Sequence, residues 1–423
     1  MATNYLNATA ETVLPGLRQF FGDPEKFNYL FNKMKKVKPE MVTERDFRAP
    51  YKKRDIGRFG TYNPAGGALG RGRAADTGVM IGSFYSFRMN YELTQLDVMA
   101  TKEAKNSNIN AFKDALKVAL PNFALMIDKT FHTDGDAVLG TAVAVGTWSG
   151  GTKTVYTMDT TTSVKGIRRG LGVILYLNNL SAARDSGTVH FIEQVDEDAR
   201  KIYMATAVPA AGADDKVLFE GVSGASPTGP YGLYMYNTTS TSGSLHGITR
   251  TNEIALNPVY VDGLGSPTPL KMMQAVHGML NRWGEMPKGG FEVLCATTQQ
   301  ANMWKYVREM SIVDLSKASI NQEVIDTIPT NWKWGTIPMR LDLNQRTDRM
   351  DGIVYGEWTR PMLPGGDLDF FTTPGTSERF FTLYDSGGSP AAAVWFGLIA
   401  HFNFMNARPG YACFVGNLNQ PTY

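Results

Sequence analysis

The stretch Phe59–Thr94, FGTYNPAGGALGRGRAADTGVMIGSFYSFRMNYELT, decides how the rest of the chain is read. Its centre, GGALGRGR from Gly66 to Arg73, crowds glycine and arginine together. A phosphate-cradling loop needs a Lys and a hydroxyl residue after its last glycine, to reach the phosphates and hold magnesium. Here Gly70 and Gly72 are each followed by Arg, and Arg73 by Ala. A dinucleotide fingerprint opens a helix. The residues after Arg73 instead come to alternate, with Tyr85, Phe87, Met89 and Tyr91 on one side and Ser86, Arg88 and Asn90 on the other. That is strand periodicity. An arginine-glycine arm for nucleic acid repeats its motif many times, and this one occurs once. The segment RDFRAPYKKR, Arg45–Arg54, lies on the other side of the tip. Two extended segments joined by a glycine-rich tip describe a long hairpin over 41–94.

The hairpin is basic. From Glu44 to Arg73 the cations Arg45, Arg48, Lys52, Lys53, Arg54, Arg58, Arg71 and Arg73 face only Glu44, Asp46 and Asp55. A protruding basic element invites an acidic partner surface. The chain as a whole is different: its formal net charge is +2 over 423 residues, so it is not an electrostatic nucleic-acid binder along its length. With 43% hydrophobic and 19% charged residues it has the core fraction of a folded protein of two or three domains. The N-terminal residues lack the basic and apolar regions of a signal peptide. The longest apolar run, Ala391–Phe402, is too short for a membrane span. Cys295 and Cys413 sit in apolar contexts and read as two buried thiols. These features predict a soluble protein made in a reducing cytoplasm.

Residues 1–40 read as a short helical arm, with Phe27, Leu30, Phe31 and Met34 at helical spacing. Lys102–Phe131 is the strongest helix: Ile109, Phe112, Leu116, Leu120, Phe123, Ile127 and Phe131 form one face. Pro121 inside it predicts one long, bent helix. From 141 to 250 helical periodicity gives way to strand-like pieces: KTVYTM, LGVILYL, GTVHFIEQV, KIYMATAV, KVLFEGV and YGLYMYN. Short strands at regular spacing predict a small all-β barrel, inserted into a mixed chain. After Asn257 a helix begins near Ser266 and Pro267, and FEVLCAT leads to a second helix, TQQANMWKYVREM. IPMRLDLN and GIVYGEW read as strands on either side of the charged turn QRTDRMD, and the C-terminal part is β-rich.

Catalytic candidates fail on inspection. YDSGGSP, Tyr384–Pro390, echoes a serine-protease nucleophile loop, but no base and orienting acid accompany it, and it reads as a turn. His132, Asp134 and Asp136 in HTDGD offer three metal ligands, yet Asp134-Gly135 is a turn signal at a helix end. The tyrosines of GPYGLYMYN could form a sugar platform, but no paired carboxylates stand out for a glycoside hydrolase. The sequence predicts no enzyme, no cofactor and no metal site.

The order of elements resembles the major capsid proteins of tailed double-stranded DNA bacteriophages with the HK97 fold. The resemblance implies an α+β fold in five parts. These are an N-terminal arm (1–40), an E-loop hairpin (41–94), a spine helix with peripheral domain (95–140), an inserted all-β barrel (141–250), and an apical domain with returning peripheral strands (251–423). The closing segment AAAVWFGLIAHFNFMNARPGYACFVGNL and the inserted pattern GLGVILYL…GTVHFIEQVDEDARKIYMA…KVLFEG carry it further. The resemblance implies self-assembly into pentamers and hexamers of an icosahedral shell around DNA held non-specifically. It implies assembly in the host cytoplasm, with a portal protein, a separate scaffolding protein and room for a decoration protein as partners, and no membrane. The eight hairpin cations would then meet a neighbouring subunit. Because only about 40 residues precede the hairpin, no N-terminal maturation cleavage is expected. Lys52 and Lys53 lack a marked Asn partner, so no isopeptide crosslinks are expected. A multidomain glycan-binding protein or hydrolase, and a cellular encapsulating shell of the same fold, stand as alternatives.

Overall fold

The computed structural model describes residues 30, 33–53, 77–94, 107–148, 151–162, 164–226, 228–266, 269–283, 290–311, 327–328, 337–363, 369–372, 379–384 and 390–419. The fold mixes helices with several sheets and divides into two compact units. One draws on Met1–Lys38, Phe84–Gly232 and Arg360–Phe404, the other on Pro39–Ser83, Leu233–Thr359 and Met405–Tyr423. Among the described residues no helix is long and apolar enough to cross a membrane.

In the first unit, Tyr85–Thr94 runs antiparallel to Pro390–Phe402, from Tyr85 opposite Phe402 to Thr94 opposite Ala393. The alternation read from the sequence has the expected effect: Phe87 stacks on Phe402 at 5.1 Å and Tyr91 on Phe396 at 5.7 Å. The hairpin is shorter than the sequence suggested. It ends at Ser83, and Tyr85–Thr94 pairs instead with a strand some three hundred positions downstream. Pro390–Phe402 also pairs with Phe381–Tyr384, so the strands flanking YDSGGSP are antiparallel neighbours, while residues 385–389 lie outside the described ones.

The helix Ser107–Phe131 is continuous through Pro121, as the periodicity required. Leu116, Leu120, Phe123, Ile127 and Phe131 are buried, and Phe131 packs edge-on against Phe404 at 5.0 Å. Residues 102–106, the start of the predicted helix, lie outside the described residues.

Six strands then close into a barrel, in the order Lys201–Met204, Lys153–Met158, Val138–Trp148, Lys216–Phe219, Gly172–Tyr176 and His190–Asp196. Period-two alternation fills the interior: Thr154, Tyr156 and Met158 are buried from one strand, Ile202 and Met204 from the next. Asp215 is buried at one end. It accepts hydrogen bonds from Arg184 Nε at 2.9 Å, from the Gly212 amide at 2.8 Å and from the Tyr156 hydroxyl at 3.5 Å. The barrel strands run from Val138 to Phe219, a narrower span than 141–250 at its C-terminal side. The piece YGLYMYN is not a strand. Leu233–Tyr236 forms one helical turn in the second unit, with Leu233, Tyr234 and Tyr236 buried. Four residues buried on several sides carry no period that separates helix from strand.

In the second unit a six-stranded sheet runs Val259–Gly265, Cys413–Leu418, Met350–Val354, Phe291–Cys295, Ile337–Leu341, Thr327–Ile328. Helix Pro269–Trp283 contributes Met272, Val276, Met279 and Leu280 to a core shared with Val293, Cys295, Cys413 and Val415. Both cysteines are free and buried. The strands on either side of QRTDRMD are not neighbours. Phe291–Cys295 lies between them, parallel to Ile337–Leu341 and antiparallel to Met350–Val354. Part of that charged turn is core: the Arg349 guanidinium sits 4.7 Å from the Tyr234 ring and 4.3 Å from that of Phe414. Its Nε donates to buried Asp351 at 2.8 Å.

Candidate assembly surface: the basic hairpin

Asp46–Lys52 and Thr77–Ser83 pair antiparallel from Asp46 opposite Ser83 to Lys52 opposite Thr77, and Glu40–Met41 adds a short third strand. Alternation gives the ribbon two unlike faces. Phe47, Tyr51 and Met80 point inward and are buried. Opposite the two aromatics stand Gly82 and Gly78. A Cβ on Gly82 would lie 2.7 Å from Phe47 Cζ, and one on Gly78 would overlap the Tyr51 ring. Each ring therefore lies across the strand over a glycine, which fixes the register.

The outward face carries the cross-strand pairs Arg48 with Ile81 and Pro50 with Val79. Val79 and Ile81 are 52% and 48% exposed. Glu40 lies opposite Arg48 on the short strand. The result is a small apolar stripe with an arginine at its rim. The aromatic alternation from Tyr85 is the louder signal in the sequence, and it hides Val79 and Ile81. Their own signal is the alternation of V-M-I-G-S just before it.

The base of the hairpin is seated on residues 244–253 of the same unit. The Ile81 amide donates to the His246 carbonyl at 3.2 Å. Burial pushes the His246 imidazole down to about 3, so it is neutral, and its Nε2 lies 2.5 Å from the Tyr236 hydroxyl. Tyr51 donates from its hydroxyl to Glu253 at 3.2 Å, and Lys53 Nζ is 3.1 Å from the same carboxylate. Neither His246 nor Glu253 stands out in the sequence, because nothing local marks a residue two hundred positions away as a seat.

The eight predicted cations divide accordingly. Arg45 and Arg48 are exposed, Arg45 in the turn before the first hairpin strand. Lys52 ends that strand, and Lys53 faces Glu253 of its own chain. Arg54, Arg58, Arg71 and Arg73, with the tip GGALGRGR, lie outside the described residues. Asp46, counted among the opposing acids, is used within the turn. Hydrogen bonds from Ser83 Oγ at 2.6 Å and Thr43 Oγ1 at 3.0 Å hold its carboxyl below the usual carboxylate range.

The residues of HTDGD have local partners. In HTDGD, His132 Nδ1 lies 3.0 Å from the Asp128 carbonyl, Gly135 takes φ of 81°, and Asp136 accepts the Val138 amide at 3.1 Å. Burial pushes the Asp136 carboxyl up, with Asp134 adding to the shift. Tyr234 and Tyr236 are buried, so they offer no sugar platform.

No protein-family model matches the sequence, and no curated protein matches it. Solved structures do. A chain of the cyanophage A-1(L) capsid asymmetric unit aligns with a TM-score of 0.51 and 10% identity, over 93% of this chain and 93% of that one. A chain of the Ralstonia phage GP4 capsid aligns at 0.42 and 11% identity over 95% and 93%. One from the holo-SrpI encapsulin complex of Synechococcus elongatus aligns at 0.42 and 9% over 94% and 89%. The chain thus shares its fold with the cyanophage capsid chain.

Proposed function

We propose that this chain is a major capsid protein of a tailed double-stranded DNA bacteriophage, of HK97-like fold, with a structural and not an enzymatic role. The observation that carries the reading is the fold likeness to the cyanophage capsid chain, which spans 93% of both chains. It is not confined to one shared domain. The hairpin supports the reading from a second side. It presents a stripe of Val79, Ile81 and Pro50 rimmed by Arg48, which a monomeric protein has little reason to leave uncovered.

In this reading the arm, hairpin, long helix, barrel and apical sheet are the parts of one shell subunit. Subunits associate as pentamers and hexamers that tile an icosahedral shell. The hairpin lies on a neighbour, and Arg45, Arg48, Lys52, Lys53, Arg54, Arg58, Arg71 and Arg73 supply its inter-subunit charge, with Lys53 also engaged at its own Glu253. The net charge of +2 suits a wall that encloses DNA without clamping it. A scaffolding protein, a portal and a decoration protein are the further partners, and the mature location is the virion capsid, assembled in the host cytoplasm.

Electron microscopy of the purified protein tests this. Closed icosahedral particles are expected, and nuclease-protected double-stranded DNA in particles from infected cells. Only monomers or small oligomers at every salt concentration and with scaffold present would overturn the assembly role. Closed particles that enclose a protein cargo and no DNA would overturn the phage assignment and favour a cellular shell.

A further inference from the structure

The barrel carries a groove with a volume of about 470 Å³. Val195 is half-buried at its floor, and Ile167 beneath belongs to the barrel core and is fully buried. Trp148 closes one side. The indole is locked, its Nε1–H donating to the Met204 carbonyl at 3.2 Å and its ring meeting Tyr203 edge-on at 5.1 Å. Lys153 Nζ stands 5.1 Å from the ring centroid.

The polar rim is almost neutral, and this decides what the groove can take. Glu193 accepts from Lys153 at 2.5 Å and Glu197 from Arg168 at 2.9 Å. Arg169 and Gln194, both exposed, have no side-chain partner among the described residues. A divalent cation needs carboxylates not already engaged by cations. A polyanion needs a clear excess of cations, whereas here two carboxylates stand among three cations. A wholly apolar ligand would strip water from both ion pairs without replacing its hydrogen bonds. What remains is a neutral molecule with apolar faces and many hydroxyls. Its C–H groups can lie against the exposed part of Trp148 and against Val195. Its hydroxyls can donate to the free lone pairs of Glu193 and Glu197 and accept from Arg169 and Gln194.

We propose that this groove is a binding site for a neutral oligosaccharide. The site differs in place from the tyrosines of GPYGLYMYN, and it does not depend on assembly, because it lies wholly within the barrel of one chain. A preset indole lowers the ordering cost of such a ligand.

The test uses the full-length protein and three neutral probes, maltotriose, cellotriose and chitotriose, with a heparin-derived tetrasaccharide as the charged arm. Binding is read by saturation-transfer NMR and titration calorimetry. Saturable binding of at least one neutral trisaccharide is expected, insensitive to added salt. It should weaken about tenfold in the double variant Arg169→Ala, Gln194→Ala, as two hydrogen bonds are lost. Both side chains are exposed, with no partner among the described residues, so the variant should melt with the wild type. A second variant, Trp148→Ala, should abolish binding. The proposal is overturned if no neutral probe binds, if only the sulfated probe binds, or if the double variant binds as the wild type does.

Discussion

Glu253 is a single carboxylate that meets two hairpin residues, Tyr51 and Lys53. The pair with Lys53 is partly exposed, so its charge is worth little by itself, about 0.5–1 kcal/mol. Glu253→Gln keeps the Tyr51 hydrogen bond and removes the charge. We expect a loss of under ~1 kcal/mol in urea denaturation, and faster proteolysis after Lys52 and Lys53; unchanged cleavage would show that Glu253 does not seat the hairpin. His246 makes a pH prediction. Its folded pKa of about 3 lies below the ordinary value of 6.5 because burial disfavours the charged ring. Between these values the unfolded chain binds the proton and the folded chain does not. Its full contribution is therefore present above about pH 6.5, and stability falls as the pH drops towards 3, by up to about 1.4 kcal/mol per pH unit. His246 takes φ of 49°, which Asn tolerates. His246→Asn should flatten the loss of stability between about pH 6.5 and pH 4, measured by denaturant titration against the wild type.

At the scale of elements, the hairpin and the barrel rest on different devices. The hairpin register depends on Tyr51 over Gly78 and Phe47 over Gly82. Gly78→Ala places a methyl where the Tyr51 ring lies, so the ring must leave its site, at a cost of about 1–3 kcal/mol. Gly82→Ala meets the Phe47 ring and should behave alike; wild-type melting of both would refute this account of the register. The barrel depends on buried Asp215, which compensates Arg184 and an amide. Asp215→Ala leaves the guanidinium without its partner, and a loss of about 3 kcal/mol is expected by thermal or denaturant unfolding. Local pattern made Ser107–Phe131 legible, since a 25-residue amphipathic helix repeats its signal seven times. The same kind of pattern made Leu233–Tyr236 look like a strand. A single buried turn next to Arg349 and Asp351 is held by tertiary contacts that no window of sequence contains.

For the whole molecule, the proposed capsid role requires charge and apolar surface to act together in assembly. Reversing Arg45, Arg48, Lys52 and Arg54 to Glu should block particle formation and leave a folded monomer, since Arg45 and Arg48 are exposed; an unchanged particle yield would refute it. Val79→Ser with Ile81→Ser should lower particle yield too, with little change in monomer melting, because both side chains are already about half in water. The sequence by itself determined the presence of two extended segments on either side of a glycine-rich stretch, a long helix, a barrel-like run of strands and two buried thiols. These arise from periodicity, charge counts and turn residues, which are local properties. Only the tertiary structure decided where the hairpin ends, because Tyr85–Thr94 finds its partner at Pro390–Phe402. Only it decided that Phe291–Cys295 separates the two strands around the charged turn, and that Arg349 of that turn is core. It also set Lys53 against Glu253 and drew Trp148 and Gln194 to one groove. Strand pairing and burial are contacts between residues far apart in the chain, and their free energy appears only when the chain closes on itself.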